Sequence, residues 1–102
     1  MADIYETLQR IKARPSMYIG TPSILNLESF LRGYWYVKAE LEISRTEQEQ
    51  DFENFQDWVQ KKFNVESSQS WAKIILFYSQ DEREALNNFF KWFEEFQNLD
   101  KK

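Results

Sequence analysis

The chain has 102 residues, one domain's worth, with 42% hydrophobic and 18% aromatic residues and a net charge of −4. It contains no cysteine and no histidine. That excludes disulfides, thiolate metal sites and every Ser–His or Cys–His nucleophile pair. Asp3 opens a first short helix, with Ile4, Leu8 and Ile11 at helical spacing, and Pro15 ends it near Ala13. A loop follows, ARPSMYIGTPS from Ala13 to Ser23. Pro15 and Pro22 each fix a backbone dihedral there, and Gly20 is free to take a positive φ. Met17, Tyr18 and Ile19 are expected to plug the open end of a bundle, and Arg14 to hydrogen-bond the last carbonyls of the first helix.

A long helix is expected from about Ser23 to Ser44. Leu27, Phe30, Leu31, Tyr34, Val37 and Leu41 step by three and four, the mark of one buried stripe. Gly33 lies inside it at a cost of about 1 kcal/mol relative to Ala, and a close helix–helix contact is the simplest reason for it. Tyr34, Trp35 and Tyr36 are consecutive, so their rings spread around the helix and one must lie at the surface or in an interface. Trp35 is the candidate for partner contact; partial burial under a neighbouring loop is the competing reading.

Residues 45–50, RTEQEQ, either link two helices or extend one. Phe52, Phe55, Trp58, Val59 and Phe63 define a third helix over about 50–63, closed by Asn64. SWAKIILFYS has strand propensity but no second strand to pair with, so a short buried helix capped by Ser70 is preferred. Trp71, Ile75 and Tyr78 would share its inner face. Asp81 and Glu84 form a capping-box-like start to a last helix reaching about Leu99. Ala85, Leu86, Phe89, Phe93 and Phe96 line its inner face, with Phe90 and Trp92 on the flanks. The expectation is an all-α protein, a compact bundle of four or five helices in a single domain over 1–102.

The charges are unevenly spread. Residues 39–57 carry seven acids (Glu40, Glu42, Glu47, Glu49, Asp51, Glu53, Asp57) and only Arg45. No basic stripe is visible, which argues against nucleic acid. No apolar run reaches the roughly 20 residues of a membrane span. The opening MADIYETLQRIKARP lacks the pattern of a secretory signal, so a soluble cytoplasmic protein is expected. Neither Glu94–Glu95 nor Asp81–Glu82 forms a catalytic pair, because neighbours on a helix point about 100° apart. No metal and no cofactor are expected.

Arg14 to Gly20, RPSMYIG, resembles the RPxMYIG segment near the start of the ATPase domain of type II topoisomerase B subunits. In that family it leads into a helix with a catalytic glutamate and, four residues on, a magnesium-binding asparagine. The resemblance would make Glu28 the base, but Arg32 stands at the asparagine's place. Ser16 replaces the usual middle glycine, and the glycine-bearing nucleotide loops have no counterpart when only Gly20 and Gly33 exist. An ATPase is therefore not expected. A wider resemblance is to small bacterial proteins with a KxRPxMYIG-type loop, an LxxFLxGY helix and a tryptophan-marked second half. It is carried by Lys12 to Gly20, Leu27 to Tyr34, Phe55 to Trp58, Ser70–Trp71 and the aromatic last helix. It implies a toxin-neutralising, immunity-like role.

The reading is a non-enzymatic protein-binding module. The acidic stretch 40–57, with Glu47, Glu49 and Asp51 as its named contacts and Trp35 and Tyr36 nearby, would meet a basic protein partner. Nucleotide or phosphate bound at Arg14, Tyr18 and Glu28 is the alternative, and a homo-oligomer held by surplus aromatics is a third reading.

Overall fold

The Asp3 carboxylate accepts the Ile4 N–H at 2.7 Å and so starts α1 (Ile4–Ala13), whose buried face is Ile4, Leu8 and Ile11. In the computed structural model, which describes residues 2–99, five more helices follow and no strand is formed. They are α2 (Pro15–Ile19), α3 (Ile24–Glu40), α4 (Glu47–Phe63), α5 (Trp71–Phe77) and α6 (Glu82–Leu99). None is long and apolar enough to cross a membrane.

The expected loop contains α2. Pro15 ends α1 by holding Arg14 out of helical geometry (φ −142°, ψ 70°), and its own φ then suits the first position of the next helix. A proline that stops one helix thus begins another. On a helical turn only one of three consecutive side chains can face inward. Ile19 is buried, whereas Met17 is 65% exposed and Tyr18 is exposed beside it, so the three-residue plug reduces to Ile19. Gly20 has φ +81°, as a chain reversal there requires. The Asn26 amide ties the reversal to α3 by donating to the Ile19 carbonyl at 2.9 Å.

Of Thr21 and Ser23, the two candidate caps beside Pro22, Ser23 caps α3, accepting the Leu25 N–H at 3.1 Å. The helix ends at Glu40, four residues before the expected Ser44. Ile43 N–H bonds Lys38 C=O at 2.9 Å and Glu42 N–H bonds Ala39 C=O at 3.1 Å, with Glu42 at φ 55°. This is the paired closing motif that usually employs glycine. The predicted stripe also divides. Leu27 and Leu31 are buried against α5 and α6, Phe30 and Tyr34 are half-buried, and Val37 and Leu41 point to solvent. Gly33 makes no close contact within the chain: a Cβ added there would meet nothing within 4 Å.

α4 begins at Glu47, earlier than the expected 50. Thr46 and Glu49 form a complete capping box, Glu49 N–H to Thr46 Oγ1 at 3.1 Å and Thr46 N–H to Glu49 Oε1 at 3.0 Å. Asn64, in the left-handed region at φ 53°, closes it as expected. SWAKIILFYS does form a helix, with Ala72, Ile74 and Ile75 inside; Tyr78 is 46% exposed and does not join them. Asp81 accepts the Glu84 N–H at 2.8 Å, while Glu84 reaches back to Gln80 N–H instead of closing on Asp81. Phe90 is buried with the inner face of α6 and Trp92 stays half-buried.

The core is aromatic, and Phe55 is its centre. Its ring lies 5.4–5.8 Å from those of Phe52, Trp58, Trp71, Phe89, Phe93 and Phe96, most of them edge to face. Such pairs add about 0.5–1.5 kcal/mol each beyond their area. Phe55→Ala should therefore lower the unfolding free energy by about 3–5 kcal/mol, read as a lower urea midpoint. A loss below about 1 kcal/mol would contradict a core organised around this ring.

Candidate interaction surface

The acidic stretch divides into an inner and an outer set. Glu49 is fully buried. Its carboxylate accepts from Lys38 Nζ at 2.5 Å, from the Tyr34 hydroxyl and from the Thr46 N–H. Thr46 Oγ1 in turn donates to Asp3 Oδ1 at 2.8 Å, which joins α1, α3 and α4 at one point. Asp51 accepts from the Tyr5 hydroxyl, and Gln48 Oε1 takes the Tyr5 N–H at 3.0 Å. Glu49 and Asp51 are thus internal fasteners of the α4 N-terminus and do not form an outer face.

Burial by itself would push the Glu49 carboxyl up. The hydrogen bonds from Lys38, Tyr34 and the Thr46 backbone, together with the Lys38 charge, outweigh it and hold the group below its ordinary value of 4.5. Burial, and then donation to Glu49, push the Tyr34 phenol well above its ordinary 10.

Both cations of this region are paired with a carboxylate, Lys38 inside and Arg45 at the surface. Lys38 pairs with Glu49. Arg45 pairs with Glu53 and lies over the Trp35 ring, 4.8 Å from its centroid. Trp35 is accordingly half-buried beneath the α3–α4 loop, the competing reading of the sequence, and its edge meets Tyr34. What remains outside is distinctive. Tyr36 is 66% exposed, Val37 52%, Leu41 65% and Ile43 49%. Glu40, Glu42 and Glu47 are exposed among them and form no ion pair among the described residues. Tyr36 and Glu40 are joined one turn apart by a 3.4 Å hydrogen bond. Ile43 also lines a cleft of about 350 Å³ with Tyr34, Lys38, Ser44 and Thr46.

Of the residues singled out in the sequence, Tyr36 and Glu47 belong to this outer surface. Val37, Leu41 and Ile43 were missed because helical periodicity assigned the first two to the core. Glu42 was missed as a special position because its left-handed geometry has no sequence signal when the residue is not glycine.

The other candidates lie apart. Arg14 is exposed; its backbone N–H bonds Arg10 C=O, and its side chain makes no hydrogen bond among the described residues. Pro15 lines a cleft with Lys12, Phe90 and Lys91, beside α6. Pro22 is half-buried ahead of the Ser23 cap. Glu28 is buried and meets Arg32 at 3.4 Å, lining a cleft with Phe52, Gln56 and Trp71. Arg14 and Tyr18 are not part of that cleft, so the three residues of the nucleotide alternative are not gathered in one site.

The unfolded chain binds more protons than the folded one wherever a folded carboxyl is depressed. Glu49 therefore contributes stability that is complete above about pH 4.5 and is lost as pH falls through its folded value. Glu49→Gln should flatten that acid limb in pH-dependent urea denaturation. Glu49→Ala, which strands Lys38 and Tyr34, should cost about 3 kcal/mol near neutral pH. An unchanged acid limb in Glu49→Gln would contradict this assignment.

Comparison with known proteins yields no matching family model, no matching curated protein and no matching solved structure.

Proposed function

We propose that this protein is a non-catalytic binding module, immunity-like or regulatory in role, that captures a basic and partly apolar surface of another protein. The observation that carries the reading is the outer surface of residues 36–47. Tyr36, Val37, Leu41 and Ile43 are each about half exposed or more there, interleaved with Glu40, Glu42 and Glu47. Exposed apolar groups gathered with one sign of charge are the usual chemistry of a protein interface. Because Lys38 and Arg45 are held by Glu49 and Glu53, the charge presented outward is acidic.

The acids would draw in a basic partner and set its orientation, and Tyr36 with Leu41 would supply the desolvated centre. The reading thus keeps the basic partner expected from the acidic stretch 40–57 and narrows the contact to Glu40, Glu42 and Glu47, without Glu49 and Asp51. A peptide of roughly eighteen residues, with leucine and alanine on one helical face and lysine on the other, is a suitable probe. It should bind the protein in calorimetry and weaken as salt rises. Combined Glu40→Gln, Glu42→Gln and Glu47→Gln should reduce affinity about tenfold and remove most of the salt dependence. Binding that ignores both the salt and the three substitutions would remove this function.

A further inference from the structure

We propose that the partner element is a basic amphipathic helix, and that it crosses α3 at Gly33. The inference rests on the docking reading above and adds its geometry.

Helical spacing sets Ser29, Gly33, Tyr36, Val37 and Glu40 on the side of α3 opposite its buried residues Ile24, Leu27 and Leu31. Gly33 lies near the middle of this outward face. Nothing inside the protein calls for a glycine there. Its φ is not in the left-handed region, unlike that of Gly20, and a Cβ would meet no atom within 4 Å. Alanine would make the better helix.

Glu42 shows the opposite exchange. It occupies the left-handed closing position of α3, where glycine is favoured, and carries a glutamate. Each residue is thus the less stable choice for its own backbone, and both are exposed, one on the outward face of α3 and one at its closing turn. Strain or lost propensity at exposed positions that the interior does not require points to a use outside the fold.

An approaching helix accounts for both. Gly33 puts no side chain on the helix surface one turn before Tyr36 and Val37, which lets a second backbone come to the short end of the usual 8–10 Å helix separation. Glu40, Glu42 and Glu47 then stand where lysine or arginine on the flanks of that helix would meet them. A second copy of this chain fits less well, because the same face, with Ser29, Gly33, Tyr36, Val37 and Glu40, brings no cation to meet the acids of its twin.

The experiment uses the same leucine–alanine–lysine peptide with the wild type, Gly33→Ala, Gly33→Leu and the triple glutamine variant. Gly33→Ala should raise Tm by about 4 °C or more, since it improves the helix and collides with nothing. It should nonetheless weaken peptide binding, and Gly33→Leu should weaken it about tenfold or more, because the space at Gly33 is then filled. Circular dichroism checks that each variant is folded. Unchanged peptide affinity in Gly33→Leu, with the glutamine variant still weakened, would overturn the crossing at Gly33 and leave the docking surface standing. A wild type that does not bind the peptide would overturn both.

Discussion

A carboxylate with no access to water, Glu49, holds the α3–α4 corner together. Burying a charge is costly unless every lone pair is answered. Here Lys38, Tyr34 and the Thr46 backbone answer it, and each comes from a place that must be fixed for the corner to form. Lys38 and Tyr34 set the rotation of α3, Thr46 sets the start of α4, and Asp3 ties both to the start of α1. The loop between α3 and α4 is therefore held at both ends, and the side chains it displays are presented in a defined arrangement.

The aromatic core plays a different part. Rings from α4, α5 and α6 surround Phe55, and buried aliphatic side chains of α1, α3 and α5 complete the cluster. This core needs only that helical stripes face inward, and it makes little demand on the corner. A separation follows between a forgiving hydrophobic interior and one polar fastening. The outer surface of residues 36–47 depends on the second. With Lys38 paired inside and Arg45 neutralised by Glu53 at the surface, the unpaired acids act as a field of one sign beside exposed apolar groups. Gly33 on α3 and Glu42 at its closing turn are both exposed, each in a backbone setting that suits the other better.

Much of the fold was legible in the sequence. Asp3, Ser23, Ser70 and Asp81 are caps that declare helix starts through local chemistry alone, and each accepts a backbone N–H of the helix it opens. The stripe through Ala85, Leu86, Phe89, Phe93 and Phe96 is equally local, and all of it is buried. Thr46 with Glu49 also obeys a readable signature, T-x-x-E, that the surrounding polarity of RTEQEQ concealed. Periodicity failed at Val37 and Leu41. A stripe records which side chains share a face; it does not record how far along the helix the neighbours extend.

The chain by itself determined an all-α protein with its helix starts, its ring-filled interior and its lack of a histidine or cysteine to work with. Those properties are set within a few residues, by caps, by proline at Pro15, and by hydrophobic spacing. Only the tertiary structure decided which acids are buried and which are displayed, because that depends on contacts between segments distant in sequence. Glu49 and Glu47 are two residues apart and indistinguishable in composition. One meets Lys38 and Tyr34 inside and the other faces water, since residues two apart on a helix point to nearly opposite sides of it.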